Sequence, residues 1–199
     1  MGITERRQRQ LEEVRATILE QSWQIVEEEG WEALSIRKIA DAIEYSTPVV
    51  YKHFESKDAI LEAFSREGYA LLAESLASAK ARHTDAATQL EAISEAYWLF
   101  AQANPKHYQI MYGLGIPTCQ MVRDIPEIRQ VSDLLHATID EAIKSGKNPD
   151  VDGHLKAKTF WSILHGLVAM TMISAPDGSD LARRTLDDAV QGFIKALLT

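Results

Sequence analysis

Cysteine is almost missing from this sequence of 199 residues, since Cys119 stands alone. One cysteine cannot form an internal disulfide, so nothing in the composition points to an oxidising compartment. Cys119 also has no second Cys or His at ligand spacing, which leaves a metal or redox role unsupported. We therefore expect a protein of the cytoplasm.

Long hydrophobic runs are missing as well. The most apolar stretch, residues 160–175, contains His165 and several hydroxyl groups. It is shorter than the roughly 18 to 20 residues that a membrane span needs. No N-terminal segment combines a basic start with an apolar core, so we expect neither a signal peptide nor a membrane partner.

Motifs of the common enzyme classes do not occur. The sequence has no GxxxxGK, HExxH or GxSxG, and Gly113-Leu114-Gly115 lacks both the third glycine and the preceding strand of a dinucleotide site. We expect no catalytic residues and no cofactor. A helical enzyme with a dispersed site and a purely structural helical scaffold remain the alternatives to a binding function.

Basic residues are outnumbered, because 21 Lys and Arg face 29 Asp and Glu for a net charge of −8. A protein that coats nucleic acid non-specifically is therefore excluded, and any anion-binding face must be local. Arg6, Arg7 and Arg9 form one basic group near the N-terminus. It is interpreted either as a solubilising terminus or, preferably, as an arm along a DNA backbone or minor groove.

Alternating strand patterns are absent and helix formers dominate, so the sequence predicts an all-α fold. Thr4 is expected to cap a long first helix that ends at Gly30, and Ser35 and Ser46 to cap two short helices. Further helices are predicted over residues 58–82, 85–104, 106–112, 126–145, 153–175 and 179–198. The change from short to long helices predicts domains 1–55 and 56–199.

Residues 35–54 are predicted to form two short helices joined by a brief turn, which is the geometry of a helix-turn-helix. In that motif the second helix enters the major groove. Ser46, Thr47 and Val49 suit base edges, whereas Tyr51, Lys52 and His53 suit phosphates. An ordinary helical hairpin with a solvated polar face would show the same spacing.

The stretch from Ala33 to Leu61 resembles the DNA-binding segment of tetracycline-repressor-type (TetR/AcrR) transcriptional regulators. The matching residues are Ile39-Ala40, Ser46, Val50-Tyr51, His53-Phe54, Ser56-Lys57 and Leu61. The later Trp161 to Gly166 resembles the tryptophan–histidine–glycine signature of one subclass of ligand domain. The resemblance implies an N-terminal three-helix DNA-binding domain followed by a larger helical domain for ligand binding and dimerisation.

The resemblance also implies a function, that of a ligand-responsive repressor that binds a near-palindromic DNA operator as a homodimer. Ser35 and Arg37 would open the second helix beside DNA, and Thr47 and Val49 would read bases. Phosphates would be held by Tyr51, Lys52, His53 and Lys57. Family members usually have glycine in the turn, where Glu44 stands here. A non-glycine residue with positive φ costs about 1 kcal/mol, so we expect a differently shaped turn.

An effector pocket is expected in the larger domain, lined by aromatic side chains and by flexible, polarisable ones such as methionine. The predicted lining residues are Trp98, Tyr112, Met121, Trp161 and His165. They favour an apolar or aromatic small molecule, with a lipophilic cation also permitted. The alternative is that these side chains are ordinary core.

Two more features of the larger domain concern metal binding and dimerisation. Asp133, His136 and Asp140 share one helix face, but this pattern more often forms a solvated surface, so no metal site is expected. The last two helices are expected to form the homodimer interface through an apolar stripe, with Gly192 allowing close approach. The stripe consists of Leu186, Val190, Phe193, Ile194 and Leu197.

Overall fold

The computed structural model describes residues 2–114, 125–147, 150–173 and 179–199. These ranges contain helices and no strand, which confirms the all-α prediction. The helices are α1 Ile3–Glu29, α2 Ile36–Ala42, α3 Thr47–His53, α4 Lys57–Lys80, α5 Ala86–Ala103, α6 Pro105–Tyr112, α7 Pro126–Ser145, α8 Gly153–Ile173 and α9 Ser179–Leu198. Among them, none is both long and apolar enough to cross a membrane.

The start of α1 differs from the sequence expectation. Gly2 rather than Thr4 precedes the helix, and its backbone N–H donates to the carboxylate of Glu5 at 3.1 Å. The predicted cap at Thr4 is therefore wrong, because the helix begins at Ile3 and Gly2 occupies the N-cap position. Arg6, Arg7 and Arg9 lie inside α1 and not in an extended arm. Any contact that they make with DNA would come from a helix.

The described chain forms two compact units, and helix α4 contains the division between Ser65 and Arg66. The first unit also includes the segment that begins at Lys106. Its core joins α1 to the two short helices through Ile18, Ile39 and Val50, all fully buried. The ring of Trp23 lies 5.2 Å from that of Phe64 and 4.1 Å from that of His107 in α6.

The second unit is built on α5, α7, α8 and α9, each of which packs against the other three. The apolar stripe of α9 faces inward: Leu186 and Leu197 are 2% and 1% exposed, and the ring of Phe193 lies 5.1 Å from that of Phe160. The prediction that this stripe contacts a second subunit is therefore wrong. Burial within one chain accounts for it, because an amphipathic helix in a bundle needs such a stripe.

Candidate DNA-binding and effector sites

The turn between α2 and α3 keeps the backbone conformation that glycine normally supplies. Glu44 has φ of 59°, in the left-handed region. The N–H of Tyr45 donates to the carbonyl of Ala40 at 2.9 Å, and the N–H of Glu44 donates to that of Asp41 at 3.2 Å. This pair of bonds defines a Schellman motif. The expectation of a reshaped turn is thus wrong, because Glu44 accepts the strained conformation.

Removing that strain should stabilise the protein. Glu44→Gly is expected to raise the free energy of unfolding by about 1 kcal/mol, because glycine adopts positive φ without a Cβ clash. Glu44→Ala is the matched control, since alanine also removes the carboxylate but keeps the Cβ. Urea unfolding of both variants checks this, and equal stabilisation by alanine would show that charge, not backbone strain, is responsible.

Helix α3 has a buried side and a side that reaches solvent, and the predicted DNA-contacting residues lie on the latter. Val50 anchors the helix in the core with no exposed surface. On the outer side, Tyr51 is 53% exposed and Lys52 is exposed, while Thr47, Val49 and His53 are half-buried. Tyr45 is 50% exposed immediately before Ser46, the residue that precedes α3. The sequence predicts a base contact for Tyr45 only if a reshaped turn shifts α3, although an exposed aromatic in a turn is a recognisable signal.

Ser35 before α2 and Ser56 after α3 each cap the helix that follows them. The Oγ of Ser35 accepts the backbone N–H of Lys38 at 3.2 Å, so this side chain caps α2, while Arg37 is exposed. The Oγ of Ser56 accepts the N–H of Ala59 at 3.2 Å. Lys57 therefore opens α4, where unpaired backbone N–H groups and the helix dipole attract an anion.

Two predicted effector residues lie together in the second unit. The rings of Trp161 and His165 in α8 are stacked, with centroids 6.3 Å apart and 12° between their planes. The ring of Tyr97 in α5 meets Trp161 edge-on at 5.4 Å. Trp161 and His165 are half-buried, whereas Tyr97 is fully buried. Tyr97 is not among the lining residues predicted from the sequence.

The other three predicted effector residues are placed differently. Trp98 is buried beside Tyr97 in α5. Tyr112 belongs to the first unit, where its ring lies 4.6 Å from that of Tyr108. Met121, like Cys119, lies outside the described residues. Of the predicted lining set, Trp161 and His165 are therefore the pair that the fold brings together.

Burial lowers the pKa of His165 below its ordinary value of 6.5. Below about pH 6.5 the unfolded chain therefore binds a proton at this residue more readily than the folded chain does. We expect wild-type stability, relative to His165→Gln, to fall as the pH decreases from 7.5 to 5.5. Urea unfolding of both proteins across this range tests it, and a stability difference independent of pH would contradict the assignment.

A separate groove of about 410 Å³ lies between α5 and α9 in the second unit. Arg183 crosses it and forms ion pairs with Glu95 and Asp187. The hydrogen bond to Glu95, more than any other interaction, raises the pKa of Arg183. Gln191 also donates to Glu91 at 2.8 Å across the groove. Its charged lining does not suit the apolar effector that the sequence predicts.

Solved structures share this fold at low sequence identity. A protein of unknown function from Rhodococcus sp. RHA1 is 23% identical, with a TM-score of 0.78 over 93% of this chain and 95% of that one. A transcriptional regulator of the TetR/AcrR family from Thermobifida fusca YX-ER1 is 21% identical, with a TM-score of 0.64 over 94% and 97%. AibR, in complex with isovaleryl coenzyme A and operator DNA, is 21% identical, with a TM-score of 0.65 over 89% and 96%.

Family profiles match two parts of the sequence. No curated protein sequence matches the chain. Residues 18–70 match the tetR family of bacterial regulatory proteins, and residues 90–192 match the tetracyclin repressor-like C-terminal domain. The second match alone covers more than half of the chain. Because the matched family consists of regulators, the match also favours a DNA-binding regulator over an enzyme or a scaffold. The chain belongs to the tetR family of bacterial regulatory proteins.

Proposed function

We propose that this regulator is a ligand-responsive repressor that binds a near-palindromic operator as a homodimer in the cytoplasm. The observation that carries the proposal is the exposure of Tyr51 and Lys52 on a short helix held by an intact turn. A helix with one buried and one exposed side is suited to the major groove. The net charge of −8 makes local contacts, not overall attraction, the source of affinity.

The residues on this surface divide into two roles. Thr47 and Val49 read base edges, and Ser46 lies beside them at the start of α3. Tyr51, Lys52, His53 and Lys57 bind phosphates, with Ser35 and Arg37 at the start of α2. One seven-residue helix reads few base pairs. Specificity therefore requires two copies held about 34 to 36 Å apart.

The dimer forms through an open face of α8, and α9 contributes beside it. This face of α8 consists of Leu155, Thr159, Ser162, Gly166 and Met170. Leu155 and Met170 are 58% and 65% exposed, and a Cβ on Gly166 would meet nothing within 4 Å. On α9, Leu181 is exposed, and a Cβ on Gly192 would likewise meet nothing within 4 Å. Large apolar side chains beside open glycines suit the close approach of another helix.

The effector binds in the second unit beside Trp161 and His165, and Trp98 of the same unit stays a predicted lining residue. Burial lowers the pKa of His165 and favours its neutral form. A neutral imidazole can form one hydrogen bond with a polar group of a mainly apolar or aromatic ligand. The same fold in AibR accommodates an acyl coenzyme A and operator DNA. Because α4 runs from Lys57 into the second unit, it is suited to transmit the effect of the ligand. A coupling of about 1 to 3 kcal/mol would weaken operator binding about 5- to 150-fold.

Selection of binding sites from random duplexes with the full-length protein tests the regulator function. We expect an enriched sequence with two-fold symmetry and half-sites about one helical turn apart. Binding should be specific and should weaken as salt increases. Recovery of no enriched sequence would overturn the proposal and favour a helical enzyme or scaffold.

Tryptophan fluorescence during a screen of apolar and aromatic compounds tests the effector site. A binding compound should change the emission of Trp161, and Trp161→Phe should remove that change. The compound should also weaken operator binding. Binding that leaves operator affinity unchanged would show a ligand site without the proposed regulation.

A further inference from the structure

Two histidine side chains from neighbouring helices meet in the second unit. His136 lies in α7 and His154 at the start of α8. Their rings are stacked, with centroids 5.3 Å apart and 20° between the ring planes. The Nε2 atom of His136 lies 3.2 Å from the Nδ1 atom of His154. His154 is exposed and His136 half-buried, so solvent reaches the pair.

The backbone of α7 fixes the orientation of the first imidazole. The Nδ1 atom of His136 lies 2.8 Å from the carbonyl oxygen of Ser132. A carbonyl can only accept a hydrogen bond, so Nδ1 carries the proton and Nε2 presents a lone pair to His154. Histidines that bind metals characteristically donate their second N–H to a backbone carbonyl or carboxylate in this way.

The separation of the two nitrogen atoms suits a shared metal ion. Zinc binds histidine nitrogen at about 2.0 to 2.1 Å with tetrahedral angles, which places two such ligands about 3.3 Å apart. The observed distance of 3.2 Å is within about 0.1 Å of that value. In the metal-free protein, His154 Nδ1–H donates a hydrogen bond to His136 Nε2. For a metal ion to bind there, the Nδ1 proton of His154 would pass to solvent and Nε2 of the same ring would take one up, which frees the Nδ1 lone pair for the metal.

Several carboxylates lie near the two histidines along the chain. Asp133 and Asp140 flank His136 on α7, and Asp152 precedes α8. The Oδ1 atom of Asp140 lies 2.5 Å from the position of a Cβ on Gly153, the residue before His154. Within the described ranges, no group of three His, Cys, Asp or Glu side chains forms a ready-made metal site. The two imidazoles would therefore be the only protein ligands among the described residues, and water would complete an open coordination shell.

We propose that His136 and His154 bind a transition-metal dication of the zinc class, which links α7 to α8. Asp133, His136 and Asp140 lie on one helix face, a pattern that more often forms a solvated surface than a metal site. The imidazole of His154, 18 residues further along, supplies a second nitrogen ligand. The sequence does not show this, because it is the packing of α8 on α7 that brings the two rings together. The site is independent of the proposed operator and effector.

Isothermal titration calorimetry of the metal-free, full-length protein with zinc chloride tests the site. We expect saturable binding of one zinc ion per chain. Loss of an outer-shell partner typically lowers metal affinity 10- to 100-fold, so loss of a ligand in His136→Gln or His154→Gln should lower it at least about tenfold. His83→Gln, at an exposed histidine of the same unit, is the control and should bind zinc like the wild type.

Wild-type imidazole nitrogen shifts, measured by long-range ¹H–¹⁵N NMR, locate the metal even if a variant fails to fold. Zinc should shift Nε2 of His136 and Nδ1 of His154 together. Absence of saturable binding, an equal loss of affinity in His83→Gln, or zinc-induced shifts at other histidines would overturn the proposal.

Discussion

Gly166→Arg is expected to convert the proposed dimer into monomers and to weaken operator binding about 10²- to 10⁴-fold, because the two half-site contacts would no longer be linked. The substitution is suited to this test, since a Cβ on Gly166 meets nothing within 4 Å inside the chain. Arginine also favours the helix more than glycine does. The monomer should therefore stay folded. Sedimentation and duplex binding measure the two effects.

Two control variants separate the interface from the fold. Leu99 is 53% exposed on α5, so Leu99→Arg adds the same charge outside the proposed interface and should remain dimeric. Phe193→Asp should unfold the second unit, because Phe193 packs on Phe160 within one chain. A Gly166→Arg protein that sediments as a dimer would place the interface away from the open face of α8.

The dimer surface illustrates a limit of helical periodicity. Leu186 and Phe193 on α9 were correctly predicted to share an apolar face. Periodicity shows that such a face is buried but does not identify the surface that covers it. In the fold it is the same chain that covers it. The proposed interface on α8 contains Thr159, Ser162 and Gly166, whose small side chains give little hydrophobic signal.

The helix ends can be predicted from residue type more directly than the dimer surface can. Ser35 and Asp85 precede α2 and α5 and accept backbone N–H bonds, as their residue types predict. Glu44 shows the opposite case, because the surrounding hydrogen bonds impose a conformation that glutamate disfavours. The effector site is the part that the sequence predicts least well, since Trp98 and Tyr112 belong to different units and aromatic spacing alone does not separate a pocket from a core.

Phosphate contacts and base contacts on α3 and α4 should respond differently to mutation. Lys57→Ala should weaken binding to every duplex similarly and lower the slope of log affinity against log salt by about 2, because each subunit of the dimer would neutralise one phosphate fewer. Thr47→Ala and Val49→Ala should each cost about 1 to 3 kcal/mol on the operator and change the preferred base, with little effect on a scrambled duplex. Titrations of operator and scrambled duplex at several salt concentrations measure both quantities.

Lys144→Ala is the control for the loss of one positive charge, because Lys144 is an exposed lysine of α7 in the second unit. It should leave the salt slope unchanged, whereas a general charge effect would lower it as much as Lys57→Ala does. The positive φ of Glu44 matters here, since the intact turn sets the position of α3, on which the proposed base-reading residues Thr47 and Val49 lie. Equal losses on operator and scrambled duplex for Thr47→Ala and Val49→Ala would reassign base reading to neighbouring side chains, with Tyr45 and Ser46 the first to test.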